Sequence, residues 1–318
     1  MNDPSELIES LQFPRLAKMF YFEPLALEVT EMLALHAYLW PRLTQPDIAS
    51  YIEAKQPARA AIALPQTHGR SGYLGPKRSD GGTVTDARYF YTLESNPSVA
   101  VLPIRGVMMR QASTFQEMCA GAISGERIAH ALAQVKSDKT ISTVILDIRS
   151  PGGDARIGEL AAQVRDLANT SGKTVYAFTD GIMASAAYRL GSQANELVMT
   201  PDAQVGSIGT YIAFLNETVR MQMTGTKMEV IKAGTLKAMG LPGTDLTQEQ
   251  RNYLQATVED LNQQFHNDVK AMRPQISQAA LDTAAMYPGS SLVKASTATA
   301  NGLADGIESS WQAFIAQL

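Results

Sequence analysis

Four short segments of this chain carry hydroxyl, glycine and amine groups of the types that nucleophilic chemistry needs. In "GIMASAAYRLGSQ", residues 181–193, Ser185 stands among alanines at a strand-to-helix turn where a long helix is expected to begin. Such a turn exposes the serine Oγ, and the N–H of the next residue, Ala186, lies at a helix N-terminus where negative charge is favoured. A serine that merely caps a helix looks the same, so this segment alone is weak. In "DIRSPGGD", residues 147–154, Pro151 stiffens a turn, while Gly152 and Gly153 permit positive φ and close backbone approach. Free N–H groups there suit a developing oxyanion, although an ordinary strand–helix turn has the same composition.

A serine nucleophile needs a base. The histidines are His36, His68, His130 and His266, so a Ser-His-Asp triad within the main domain has only His130 and His266 to draw on. Lysine is the alternative, provided that burial in apolar surroundings makes its neutral form accessible. The segments "VGSIGTYIAF" (205–214) and "VIKAGTLKAMG" (230–240) supply such surroundings. Lys237 is flanked by Leu236, Ala238 and Met239, with Lys227 and Lys232 as rivals. Ser207, between Gly206 and Ile208, is either a turn serine or a hydroxyl that aims a neutral amine. No G-x-x-x-x-G-K-[ST] and no G-x-S-x-G occurs, which disfavours a phosphate-binding loop and an α/β-hydrolase elbow.

The elements that must position these residues follow from periodicity. From about residue 89, short β-branched strands alternate with amphipathic helices, a pattern that predicts an α/β domain with its site at strand ends and loop glycines. Strands are expected in "VAVLPIRGVM" (99–108), "ISTVILDIRS" (141–150), "KTVYAFTD", "ELVMT", "QVGSIGTYIAF" and "KMEVIKAG". Helices are expected in "GERIAHALAQVKSD", "IGELAAQVRDLANT", "VRMQMTG" and the long stretch opened by Thr247, whose first turn holds Glu249 and Gln250. Residues 1–65 show helical spacing, as in "LALEVTEMLALHAYL", and 66–88 read as a flexible linker ahead of a domain over 89–318.

Bulk properties narrow the class. The chain has 318 residues, 45% hydrophobic and 18% charged, enough for a sizeable core. A net charge of −4 without a basic stripe argues against nucleic-acid binding. Cys119 is the sole cysteine, which rules out an internal disulfide and fits a reducing compartment. The most apolar early stretch, "FEPLALEVTEMLALHAYLW", is broken by Glu23, Glu28 and Glu31, and the N-terminus lacks a signal-peptide pattern, so a cytoplasmic protein without a membrane anchor is expected.

Taken together the segments resemble the signal peptide peptidase A family of Ser–Lys endopeptidases. That family has a strand ending S-P-G-G, a serine at a small-residue helix start, T-G-S-I-G, and a lysine three residues after a glycine. Here these are Ser150–Gly153, Ser185, Val205–Gly209, and Gly234 followed by Lys237, in order over residues 99–310. The resemblance implies Ser185 as nucleophile, Lys237 as general base, Ser207 orienting the lysine, and the N–H groups of Gly153 and Ala186 as oxyanion hole. It also implies a Clp protease/crotonase-like spiral of ββα units, a homo-oligomer, a protein or peptide substrate, and no metal or cofactor. Arg149 stands where asparagine is usual, alanines follow Ser185 in place of glycines, Val205 replaces threonine, and Ala238 and Met239 replace an acidic residue behind the lysine. Within the family, "FYFEPLALE" (20–28) and "MYPGSSLVKASTATANGLADGI" (286–307) look most like bacteriophage head-assembly proteases, which implies cleavage of capsid or scaffold proteins. Those proteins often continue into a scaffold-like tail, whereas this chain stops at Leu318. Alternatives are a general cytoplasmic peptide-degrading peptidase, an acyl-CoA enzyme of the crotonase type, and an inactive structural oligomer.

Overall fold

The apolar runs VAVLPIR, TVILDIR and TVYAFT are too continuous for half-exposed strands, and each forms the centre of a sheet covered on both faces. The computed structural model describes residues 25–27, 89–112, 121–214 and 216–318. In chain order the elements are β1 Leu25–Leu27, β2 Tyr91–Thr92, β3 Val99–Arg105, β4 Val107–Met109, β5 Ala122–Ser124, α1 Gly125–Ser137, β6 Thr143–Arg149, β7 Gly152–Asp154 and α2 Gly158–Thr170. They continue as β8 Thr174–Thr179, β9 Ile182–Ala184, α3 Ala186–Gly191, β10 Glu196–Met199, β11 Gln204–Gly206, α4 Thr218–Met223 and α5 Gln248–Met272. The last are α6 Gln278–Asp282, β12 Met286–Pro288, β13 Gly306–Ile307 and α7 Trp311–Ile315.

The fold is α/β, built by repetition of one unit. A long strand enters a central sheet, a one- or two-residue corner follows, a short strand joins a second layer, and a helix returns. The sets β6–β7–α2 and β8–β9–α3 show this in full, and β3–β4 lead through β5 to α1. The long strands line up in the order β13-β10-β8-β6-β3-β2, with every neighbouring pair parallel except β2–β3. The short strands form two further sheets, β1-β7-β4-β5 and β12-β11-β9. The expected spiral of ββα units is therefore present.

Alternate residues of the central strands serve two cores. Ala100, Leu102, Val144, Leu146 and Ala177 face helices α1 and α2 with Leu132, Val135, Leu160 and Val164. Val99, Val101, Ile145 and Phe178 face Trp311 and Phe314 of α7, where the Phe178 and Phe314 rings stack 5.0 Å apart. Both faces being dry explains the unbroken apolar runs.

Three local expectations are corrected. Leu25–Leu27, inside the stretch read as helical, are a strand antiparallel to β7, in register Leu25↔Asp154, Ala26↔Gly153 and Leu27↔Gly152. Pairing along a sheet edge outweighs local helical spacing, and Pro24 just ahead lacks the N–H of a helix interior. The rest of 1–88, including the expected linker, and Cys119 lie outside the described residues. The strand expected in 227–234 does not form, and among the described residues that mostly exposed stretch has no neighbouring strand to pair with. The helix after Ser185 is six residues rather than long.

Candidate active site

Ser185 occupies the single residue between β9 and α3, at φ 54° and ψ −121°. A serine held there costs about 1–3 kcal/mol of backbone strain, and its neighbours must impose it. The Ser185 N–H donates to Gly206 O at 2.7 Å, its carbonyl accepts from Arg189 N at 2.9 Å, and the preceding Ala184 N–H donates to Ser150 O at 3.0 Å. Ala184, Ala186 and Ala187 are fully buried, so no larger side chain would fit around the turn. The Ser185 Oγ does not cap α3; it is buried and has no hydrogen-bond partner. An unpaired buried hydroxyl costs about a further 1–3 kcal/mol. Two such costs concentrated on one residue mark a functional group kept available for a ligand.

The S-P-G-G corner is fastened to this serine. Ser150 N–H donates to Ile182 O at 2.8 Å, so residue 150 and β9 exchange bonds on both sides of Met183. The Ser150 hydroxyl donates to Gly106 O at 2.7 Å and accepts from Gly152 N at 3.1 Å, which ties β7 to the start of β4. Gly153, at φ 158°, lies so close to β4 that a Cβ would sit 1.9 Å from the Met108 carbonyl oxygen. Only glycine lets this strand lie there, with α3 packed on it. Ala186 opens α3, and the first N–H groups of a helix have no partner within it. Gly153 and Ala186 are thus delivered to one corner by β7 and α3.

Ser207 follows β11, whose Gly206 pairs with Ala184 of β9, so both serines leave adjacent strands side by side. Its own φ is 53°, and its N–H donates to Ala285 O at 2.9 Å. A Cβ on Gly206 would meet that same carbonyl at 2.4 Å, which fixes glycine at the position before it.

Sequence reasoning missed what holds α3 in place. Arg189, one turn beyond Ser185 and buried, donates from Nε and Nη2 to Asp268 of α5 at 2.8 and 2.6 Å. Its Nη1 donates to Ala155 O at 2.8 Å, directly beyond β7. One guanidinium therefore joins the serine helix, the Gly153 strand and α5. The signal was an arginine inside the small, apolar run "SAAYRLG", since a buried cation requires a partner. Tyr188 beside it donates to Leu303 O at 3.0 Å, and burial pushes its phenol far above the ordinary value. Arg149, in the asparagine position of the family pattern, is held charged by hydrogen bonding to Asp180.

The lysine half is built differently. Lys237 is exposed, so its expected apolar burial is not found within one chain. Among the described residues its amine makes no hydrogen bond or ion pair, whereas Lys227 pairs with Glu229 at 3.0 Å and Lys232 donates to Thr235 O at 3.0 Å. Lys237 lies in a turn whose N–H donates to Gly234 O at 3.2 Å, beside a shallow recess lined by Ala233, Leu236, Met239 and Tyr253. This turn is fastened to the start of α5: Thr235 Oγ1 donates to Glu249 at 2.8 Å, and the buried Gln250 donates to Thr235 O at 3.0 Å. Asp268, which holds the serine helix, lies 18 residues further along α5, about 27 Å at 1.5 Å per residue. The structure thus joins Ser185, Gly153, Ala186 and Ser207, and leaves Lys237 apart from them.

The two candidate histidines do not serve Ser185. His130 packs edge-on against Tyr89 with ring centroids 5.6 Å apart, and His266 Nε2 lies 3.3 Å from Asn262 Nδ2. Among the described residues no group of three His, Cys, Asp or Glu side chains is arranged to hold a metal ion.

A model of peptidase family S49 matches residues 168–317, which include Ser185, Ser207 and Lys237. The chain is 27% identical over 311 residues to capsid assembly protease C of Escherichia phage lambda, covering 96% of this chain and 65% of that protein. It is 28% identical over 210 residues to the head-tail preconnector protein of Enterobacteria phage P21, covering 65% of this chain and 40% of that one. The chain spans less than two thirds of the length of either relative. Among solved structures, a ClpP1 mutant from Listeria monocytogenes aligns over 67% of this chain and 93% of its own, with 14% identity and a TM-score of 0.40.

Proposed function

From the match of residues 168–317 to a model of peptidase family S49, we propose that the chain is a serine endopeptidase of that family whose nucleophile is Ser185 and whose general base is Lys237. The carrying observation is the strained, buried Ser185 with an unpaired Oγ. Ser185 Oγ attacks the scissile carbonyl and its proton passes to the Lys237 amine. The carbonyl oxygen gains negative charge between the N–H groups of Gly153 and Ala186. As the C–N bond breaks, the lysine gives that proton to the leaving amine. Water then attacks the acyl-serine, loses a proton to Lys237, and Ser185 leaves protonated. Ser207 orients the lysine amine.

The base comes to the serine by assembly. Within one chain the Lys237 turn and the Ser185 helix are fastened to points about 27 Å apart on α5. The arm that carries Lys237 also exposes Val219, Met223, Val230, Ile231 and Leu241, and Ile231 is fully exposed. A contiguous apolar arm of this kind is covered in a homo-oligomer. A second copy that covers it brings Lys237 to a neighbouring Ser185 and strips water from the amine, which favours the neutral base.

Cleavage of capsid or scaffold proteins during phage head maturation is the biological role supported by identity across 96% of this chain with the lambda protease. The site of action is the host cytoplasm or the assembling prohead; among the described residues no helix is long and apolar enough to cross a membrane.

Casein hydrolysis by wild type, Ser185→Ala and Lys237→Ala tests the dyad, and both variants are expected to be inactive while folded. Mixing the two dead variants tests where the base comes from. With random assembly about a quarter of sites recover an intact pair, so activity returns to that order. Activity of Lys237→Ala alone would overturn the base assignment. A wild type inert even with co-expressed capsid protein would favour the inactive structural oligomer.

A further inference from the structure

The sheet that carries Gly153 runs β1-β7-β4-β5, so β7 has β4 on one side and Leu25–Leu27 of the same chain on the other. Without β1, β7 is an open edge beside Ser185. Such an edge binds an extended peptide through main-chain bonds, as a protease substrate adds to a sheet. The pairing is antiparallel, and Ala26 lies opposite Gly153, the oxyanion donor proposed above. β1 is a three-residue strand separated from its partner by more than one hundred residues of sequence, so its hold on β7 is weak and exchangeable.

We propose that Leu25–Leu27 is an intramolecular competitor of substrate: it occupies the substrate strand's place on β7 and must leave before a protein chain can be cleaved. This rests on reading Ser185 and Gly153 as the reacting corner. A competitor tethered in the same chain lowers apparent substrate affinity by the fraction of time that the edge is free, and leaves the chemical step on bound substrate unchanged. The enzyme is therefore held back until a substrate presented at high local concentration displaces its own strand.

The test uses the full chain and does not depend on hydrolysis. In an antiparallel pair only alternate residues exchange bonds with the partner strand, so Leu25→Pro and Ala26→Pro together remove an N–H bond whichever the alternation is. Binding of a fluorescently labelled peptide FEPLALEVT, residues 22–30, is measured by anisotropy on Ser185→Ala protein with and without the two prolines. The proline variant is expected to bind about tenfold tighter, because its edge is free. The same peptide carrying both prolines is expected not to bind. In the Ser185 background, KM for a separate peptide substrate falls by the same factor with kcat unchanged. Equal affinity with and without the prolines, or no binding to either, overturns the proposal. So does a wild-type protein found cut between residues 25 and 27, which would make the segment a substrate. If the binding difference appears but nothing is hydrolysed, the competitor stands and the peptidase reading fails.

Discussion

The Ser185 corner and the Lys237 arm, the two halves of the proposed dyad, are treated by the chain in opposite ways. Around Ser185 the flanking alanines are buried, three sheets and one helix converge, and Arg189 ties its own helix to α5 and to the end of β7. Among the described residues the backbone around Lys237 has no strand partner and the amine makes no hydrogen bond or ion pair, while Met223 and Ile231 stand in solvent. The oxyanion geometry needs placement to fractions of an ångström, which only a packed interior gives. A base only has to arrive. On the proposed dyad, the contrast teaches that an isolated chain holds only the rigid half of the site, and that activity would be conditional on what covers the arm.

The sharpest way to break this comparison is at its two poles. Ser185→Ala and Lys237→Ala are each expected to lower kcat/KM on casein by about ten thousandfold or more. Next comes the anchor of the rigid half. Asp268→Ala leaves the Arg189 guanidinium buried without its carboxylate and is expected to cost about 3–5 kcal/mol, read as a lower urea midpoint. Gly153→Ala drives a methyl into the Met108 carbonyl and shifts an oxyanion donor, so kcat should fall about a hundredfold to a thousandfold. In the soft half, Ile231→Ser should change the stability of a single chain by less than about 0.5 kcal/mol. It should nonetheless shift sedimentation towards smaller species and lower activity with it. The smallest effect is at His266. Burial holds its imidazole below the ordinary 6.5, so the unfolded chain binds the proton more readily. Stability from this group is whole above about pH 6.5 and is lost as pH falls through the lower folded value. Replacing it with His266→Gln should flatten the urea midpoint across that window.

What could be read beforehand divides along the same line. Strands β6 and β8 and helices α1, α2 and α5 carry unmixed local signals, and the structure places them within two residues of expectation, whereas the strand expected over 99–108 is broken at Gly106 into β3 and β4. Thr247 and Gln250 form a reciprocal capping box, as their spacing predicts. Ser185, Gly153, Ala186 and Ser207 each sit in a segment that is weak alone, and the family resemblance made them a set; the structure brings them to adjacent strand ends. Lys237 was read as buried because its neighbours in sequence are apolar, but Leu236, Ala238 and Met239 are half-buried and leave the lysine itself in solvent. Arg189–Asp268 went unseen because 79 residues separate partners that meet only after α5 docks. β1 was unreadable from Leu25–Leu27 themselves, since the edge that pairs with them is written 125 residues later.

Asn96, just ahead of β3, donates from Nδ2 to the carbonyl of Leu318 at 3.0 Å, across 222 residues of sequence. Beside that contact, β13 completes the edge of the central sheet and Trp311 and Phe314 seal one whole face of it. A ribosome makes residues in order, at about 5–20 per second, so the face over Val101, Ile145 and Phe178 stays wet until α7 has been made. Contacts this far apart in sequence also form slowly. The two cores of the central sheet therefore close at different times, the α1–α2 side first and the α7 side only once residues 311–315 have been added.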